Sequence, residues 1–330
     1  MSLLEVKDLK TFFRTKHGIV KAVNGVSYSV ESGKTLGIVG ESGSGKTVSA
    51  MSILQLLDAN GYIEGGSIKF DGRELTNLTR KDMYEIRGND ISVIFQEPMT
   101  SLNPVFTVER QVSEPFMVHQ GMSKREAATH VIDMLRDVRI PNPEVVTKQY
   151  PHQLSGGMRQ RVMIAMALAC RPRILIADEP STALDVTIQA QILKLMNDLQ
   201  KEKGTSIMFI THDLGVICQM ADDVAVMYCG QVVEMAPART IFGKQKYSHP
   251  YTEGLLVSIP RLDTPTNVRL EAIPGAVPHP LNLPVGCKFA PRCKYATERC
   301  MKEEPELVEV QQDQSVRCFY PDLEERRKHG

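Results

Sequence analysis

Gly40-Glu41-Ser42-Gly43-Ser44-Gly45-Lys46-Thr47 follows the short apolar run Leu36–Val39 and precedes the apolar stretch Val48–Leu57. That order reads as strand, glycine-rich loop and helix. Glycines let successive backbone N–H groups turn toward one centre, and the helix N-terminus adds partial positive charge. Lys46 reaches the outer phosphates, and the Thr47 hydroxyl suits Mg²⁺. Gly40, Ser42, Gly43, Ser44, Gly45, Lys46 and Thr47 are therefore expected to cradle a nucleoside triphosphate. The glycine pattern arises by chance in roughly one chain in a hundred of this length, and the flanking strand and helix make it rarer.

Arg173-Ile174-Leu175-Ile176-Ala177-Asp178-Glu179 reads as a buried strand that delivers two acids at its C-terminal end, where parallel sheets meet their ligands. Asp178 is expected to hold Mg²⁺ directly or through water, and Glu179 to orient and deprotonate the attacking water. Without the loop, the same pattern would read as a strand leaving into a solvated acidic turn. Two further strands, Ile91–Phe95 and Ser206–Thr211, end at Gln96 and His212. Gln96 offers an amide to the metal or its water, and His212 a donor to the γ-phosphate. Each taken alone is also an ordinary polar strand cap.

The composition sets the surroundings. A length of 330 residues exceeds the ~100 to 200 of one domain, so a main domain with an appendage is expected. With 42% hydrophobic and 24% charged residues the chain is globular. Lys plus Arg and Asp plus Glu both number 39, which leaves no bulk positive field for a nucleic acid or an anionic bilayer. The longest apolar run, Val162–Cys170, is about half of a spanning helix, and Met1–Lys10 carries charges where a signal peptide would be apolar. Neither spanning nor export is expected. Seven cysteines without a secretion signal favour thiols or metal ligands over a disulfide framework, and Cys170, Cys218 and Cys229 lie in apolar stretches as expected core residues.

Leu154-Ser155-Gly156-Gly157-Met158 precedes the helix-like stretch Arg159–Ala169, with Ser155 as N-cap. The ordered set of phosphate loop, Gln96, this motif, the strand ending at Glu179, Thr182-Ala183-Leu184-Asp185 and His212 resembles the nucleotide-binding subunit of an ABC transporter over about residues 3–260. The resemblance implies an α/β P-loop NTPase (ABC ATPase) core with a mainly parallel sheet, an antiparallel β subdomain and a helical subdomain over about residues 97–170. It also implies that Ser155, Gly156, Gly157 and Asp185 face the ATP of an opposing subunit, so that two cassettes close on the nucleotide. Phe13, or its neighbour Phe12, would stack on adenine; an aromatic pair on a strand edge also serves a core. Met158 stands where the family often has Gln, and Thr182 where Ser is common. Neither change removes the serine hydroxyl, the glycine amides or Asp185, and with Glu179 intact the resemblance implies a hydrolytic site.

Phe95–Pro104, Tyr150–Gln153 and Ser248–Thr252 are similar to the oligopeptide and dipeptide importer branch, and to its D-type cassettes in particular. That likeness implies peptide import driven by ATP hydrolysis at the cytoplasmic face of the membrane. The implied partners are a related F-type cassette, two permease subunits and, indirectly, an external peptide-binding protein. Residues 97–150 would transmit closure to the permeases. Nickel or glutathione cassettes are similar, and a soluble ABC ATPase of repair or translation is a further alternative. One phosphate loop and no extended heptads stand against the latter.

Prolines at 260, 265, 274, 278, 280 and 284 suggest an extended linker to a separate C-terminal module over 261–330. There Cys287, Cys293, Cys300 and Cys318 follow the spacing C-x5-C-x6-C-x17-C. Four thiolates form the usual ligand set of a [4Fe–4S] cluster, and the resemblance to peptide-importer cassettes points the same way. Zn²⁺, and reduced or disulfide-forming thiols, are the alternatives, although the paired C-x2-C that makes a zinc site obvious is missing. A bound cluster would fold a segment too small to build its own core.

Overall fold

The structure, a computed structural model, describes residues 2–180, 185–259 and 272–329. Its strands are β1 (Ser2–Thr15), β2 (Gly18–Glu31), β3 (Thr35–Val39), β4 (Gly61–Phe70), β5 (Arg73–Glu74), β6 (Ile91–Ile94), β7 (Ile174–Asp178), β8 (Ser206–Thr211), β9 (Asp223–Tyr228), β10 (Gln231–Pro237), β11 (Val308–Gln311) and β12 (Gln314–Val316). Contacts divide the chain into two compact units. One holds Val30–Lys34 and Asn77–Phe209; the other holds Ser2–Ser29, Thr35–Thr76 and the chain from Ile210 onward.

In the second unit β3 is buried along its whole length, as a strand covered on both faces requires. It runs parallel to β9, with Leu36 opposite Asp223 and Val39 opposite Val226. β9 turns through Cys229 and Gly230, both at positive φ, into antiparallel β10. A four-stranded antiparallel sheet, β2-β1-β4-β5, forms a second layer with Leu4, Val6, Val26 and Ile68 fully buried. Two buried hydroxyl contacts tie this layer to the helix Lys46–Ile53: Thr11 Oγ1 with Ser52 Oγ at 2.8 Å, and Tyr28 OH with Ser49 Oγ at 2.7 Å. The helix behind the glycine loop is therefore anchored by polar pairs on a buried face.

The first unit sets β6, β7 and β8 side by side, with β6 and β7 parallel and Ile94 opposite Ala177. Between β6 and β7 the chain is helical, and its helices start where the sequence supplies caps. Thr107 accepts from Arg110 N–H ahead of Val108–Gln120. Ser123 and Glu126 form a reciprocal capping box ahead of Lys124–Asp137, and Ser155 heads Gly156–Leu168. Phe116, Ala127 and Ala169 pack as a small apolar cluster in this helical part.

Two expectations need correction. The C-terminal segment does not stand apart: β12 pairs antiparallel with β10, Glu234 opposite Val316, and β11 pairs with β12. A segment too short for its own core gains one by lengthening an existing sheet. Nor are all three remaining cysteines buried. Cys229 is, Cys170 is half-buried and Cys218 is exposed, because the helix Leu214–Met220 turns Val216 and Ile217 inward instead. No helix among the described residues is long and apolar enough to cross a membrane.

Candidate functional site

The phosphate loop lies in the second unit, between β3 and the helix Lys46–Ile53. That helix begins without a side-chain cap and without an acid in its first turn, the kind of start whose partial positive charge suits an anion. Gly45, just ahead of it, sits at φ 96°, and a Cβ there would stand 2.4 Å from the Ala22 carbonyl oxygen. Only glycine meets both demands. Lys46 is buried and donates from Nζ to the carbonyl oxygens of Gly40 at 2.7 Å and Glu41 at 3.1 Å. Ser44 N–H bonds to the Glu41 carbonyl and the Ser44 carbonyl accepts from Gly230 N–H, closing the turn through Ser42 and Gly43. Ser44 Oγ is buried with no hydrogen-bond partner. An ammonium curled onto neutral carbonyls, an orphaned hydroxyl and an uncapped helix start fit a polyphosphate. The Thr47 hydroxyl follows in the first helical turn and supplies the hard oxygen donor that Mg²⁺ prefers.

In the first unit, β7 carries Asp178 at its buried last position and Glu179 just beyond it. Glu179 adopts φ 46°, a left-handed conformation that costs on the order of 1–3 kcal/mol in a non-glycine residue and gathers at functional sites. Gln96, two residues past β6, donates from Nε2 to Glu179 Oε2 at 3.1 Å. Two strand ends chosen separately in the sequence are thus brought together, and the amide orients the carboxylate. Asp178 adds a second hard oxygen donor of the kind that suits Mg²⁺.

Also in the first unit, Ser155 is the N-cap of Gly156–Leu168, and its Oγ accepts from Met158 N–H at 3.3 Å. The serine is exposed, and its hydroxyl hydrogen remains available to donate outward while the oxygen caps. Gly156 is exposed beside it. Gly157 faces Ile188 so closely that a Cβ would lie 3.0 Å from Ile188 Cγ2, which explains a glycine there by packing alone. Asp185 caps the helix Val186–Lys203 by accepting from Ile188 N–H at 3.0 Å. Thr182, Ala183 and Leu184 lie outside the described residues.

His212 is exposed at the end of β8, followed by Asp213, which caps the helix Leu214–Met220. The aromatic pair divides: Phe12 is buried edge-on against Tyr62, whereas Phe13 is half-buried and closer to solvent. Sequence reasoning overlooked Glu41 inside the loop, whose N–H donates to Tyr251 OH at 2.8 Å. A lone acid among phosphate-binding glycines was the available signal.

The four C-terminal cysteines line one cavity, together with His249 and Tyr295, yet the expected cluster is not supported. Among the described residues no group of three or more His, Cys, Asp or Glu side chains is arranged to hold a metal ion, which overturns both the [4Fe–4S] and the Zn²⁺ expectation for Cys287, Cys293, Cys300 and Cys318. The cavity measures about 20 Å³, room for roughly one water. Burial pushes the Cys287 thiol up and those of Cys293 and Cys318 up to about 11, favouring the protonated form. Two of the sulfurs are engaged locally, Cys300 with Thr297 Oγ1 at 3.4 Å and Cys318 as acceptor from Tyr320 N–H at 3.4 Å.

Comparison with known proteins adds independent findings. Residues 23–182 match the ABC transporter family, and residues 233–300 match the oligopeptide/dipeptide transporter C-terminal region. The chain is 52% identical over 319 residues to the oligopeptide transport ATP-binding protein AppD of Bacillus subtilis, covering 96% of each. It is 50% identical to the oligopeptide transport ATP-binding protein OppD of Salmonella typhimurium, covering 97% of this chain and 94% of that one. Among solved structures, a dimeric ATP-binding cassette in a post-hydrolysis state with ADP and Pi matches with a TM-score of 0.65 and 28% identity. That match covers 72% of this chain and 99% of the other.

Proposed function

The chain belongs to the ABC transporter family, and from that membership we propose that it is the ATP-hydrolysing subunit of an importer for oligopeptides or dipeptides. The observation that carries the nucleotide half of this reading is the loop at Gly40–Thr47: an uncapped helix start with a buried lysine curled over it. The peptide half rests on the matching C-terminal region and on relatives named for oligopeptide transport.

In the proposed cycle the loop N–H groups and Lys46 neutralise the triphosphate, and Phe13 offers its ring to the adenine. Thr47 and Asp178 would hold Mg²⁺, which when bound offsets charge on the phosphate oxygens. Glu179, oriented by Gln96, takes the proton of the attacking water, and His212 donates toward the γ-phosphate. Ser155, Gly156, Gly157 and Asp185 serve the nucleotide of an opposing cassette, so a working unit needs two. A related F-type chain is our reading of that mate. Binding would close the pair and hydrolysis reopen it, and this alternation would drive two permease subunits fed by an external peptide-binding protein. The chain itself would sit peripherally on the cytoplasmic face.

The test is reconstitution. Phosphate release should be slow for the chain alone and rise when permeases, second cassette and peptide-loaded binding protein are added in ATP-filled vesicles, with peptide accumulating on the ATP side. Phosphate release without any peptide movement would overturn the import reading.

A further inference from the structure

Arg292 sits in the short turn Ala290–Arg292, immediately before Cys293, and its side chain is only 4% exposed. Its guanidinium grips the loop acid with both arms: Nη1 donates to Glu41 Oε2 at 2.6 Å and Nη2 to Glu41 Oε1 at 3.0 Å. The remaining donors are also spent. Nε bonds to the Pro274 carbonyl at 3.0 Å, and Nη1 additionally reaches Tyr228 OH at 3.4 Å. A planar fork satisfied on every side fixes the carboxylate's position as well as its charge.

Glu41 is in turn the hinge point of the loop. Its carbonyl accepts from Lys46 Nζ at 3.1 Å and from Ser44 N–H, and its N–H donates to Tyr251 OH. Side chain, N–H and carbonyl are thus all held, and two of these three restraints come from residues beyond 250. Such a clamp sets where the Lys46 ammonium and the Ser44 turn stand before any nucleotide arrives.

We propose that Arg292 is a positioning residue for the phosphate loop: acting through Glu41, it holds the loop in its triphosphate-receiving form and makes the C-terminal extension a determinant of ATP affinity. This rests on the nucleotide reading of the loop. A brace that merely stabilises the fold would lower the melting temperature and leave affinity alone; a positioning role moves affinity.

The experiment uses the full chain with Mg-ATP, measuring KM and kcat of phosphate release and melting without nucleotide. Arg292→Gln should raise KM about tenfold with little change in kcat, and Arg292→Lys should fall between it and the parent. Glu41→Gln should reproduce the rise, and the double variant should be no worse than Arg292→Gln, since both changes break one contact. Arg299→Gln, which removes an exposed pair with Glu303 in the same extension, should leave KM unchanged. A chain carrying Arg292→Gln that melts lower yet keeps the parent KM would overturn the proposal, as would effects of the two single changes that multiply. If Arg292→Gln does not fold, Glu41→Gln and Arg292→Lys decide by the same KM criterion. Failure of the parent chain itself to bind ATP would instead defeat the nucleotide reading.

Discussion

Gln96 and Glu179, 83 positions apart in the chain, meet through an amide-to-carboxylate hydrogen bond of 3.1 Å at the ends of neighbouring parallel strands. On the proposed reading Glu179 takes a proton from one water; such a base needs its lone pairs aimed, and the Gln96 amide is placed to aim them. Glu179→Gln is expected to keep ATP binding while turnover drops by about 10² to 10⁴. Phosphate release and nucleotide affinity, measured side by side, check this; near-parent turnover would remove Glu179 from the base role. Gln96→Ala should lower turnover by less, because the carboxylate remains.

Ser155 caps its helix, and substitution can separate that cap from the second duty proposed for it, toward the nucleotide of an opposing cassette. Ser155→Ala loses the cap to Met158 N–H and should cost about 1 kcal/mol of stability. Ser155→Asp keeps a capping oxygen but adds a negative charge, so it should melt near the parent temperature while hydrolysis in the assembled pair fails. Thermal melts paired with phosphate release in the complex distinguish the two duties. Equal hydrolysis in both variants and the parent would show that Ser155 only caps.

Gly45→Ala puts a methyl group against the Ala22 carbonyl oxygen in a backbone conformation that alanine resists. Strain on the order of 1–3 kcal/mol is expected in stability. ATP affinity should fall as well, because relief of the clash moves the start of the helix Lys46–Ile53. Urea unfolding and nucleotide titration provide the check.

His249 gives the chain an acid sensitivity. Burial, with the Arg326 and Arg317 charges, lowers its pKa from 6.5 to about 3, and its Nδ1 accepts from Tyr251 N–H as the cap of Pro250–Val257. Between those two pH values the unfolded chain binds a proton that the folded chain does not. Its contribution to stability is therefore present above the unfolded value and lost as pH falls, by up to ~1.4 kcal/mol per pH unit. Glu234, whose carboxylate accepts from the His249 N–H, has its carboxyl pushed up by burial and acts in the opposite sense, losing its contribution as pH rises through its folded value. Urea midpoints between about pH 4 and 7, compared for the parent and His249→Asn, isolate the histidine; an unchanged slope would refute its role.

The features legible in the sequence were those whose chemistry is local. The loop at Gly40–Thr47, the acids at the end of β7, and Ser155 as a cap are each written within a few consecutive residues, and β8 falls on Ser206–Thr211 as the apolar run implies. The cysteines were misread because spacing along a chain does not give the arrangement of sulfurs in space; four thiols lining a cavity the size of one water differ from four ligands around a metal. Cys218 looked internal because its neighbours are apolar, but helical periodicity turns it outward. The Arg292 clamp on Glu41 links positions 251 residues apart, and no local pattern announces such a contact.

The pairing of β12 with β10 bears on how small this protein can be made. Removing the residues from β11 onward would strip Val316 and Ser315 from Glu234 and Met235. The bared rim of β10, a strand that itself carries Val232, Val233 and Ala236, would then be open to pairing with copies of itself. With the tail in place the sheet ends instead at β11, a four-residue strand bearing Glu309, the short and charged kind of rim that resists pairing with another chain.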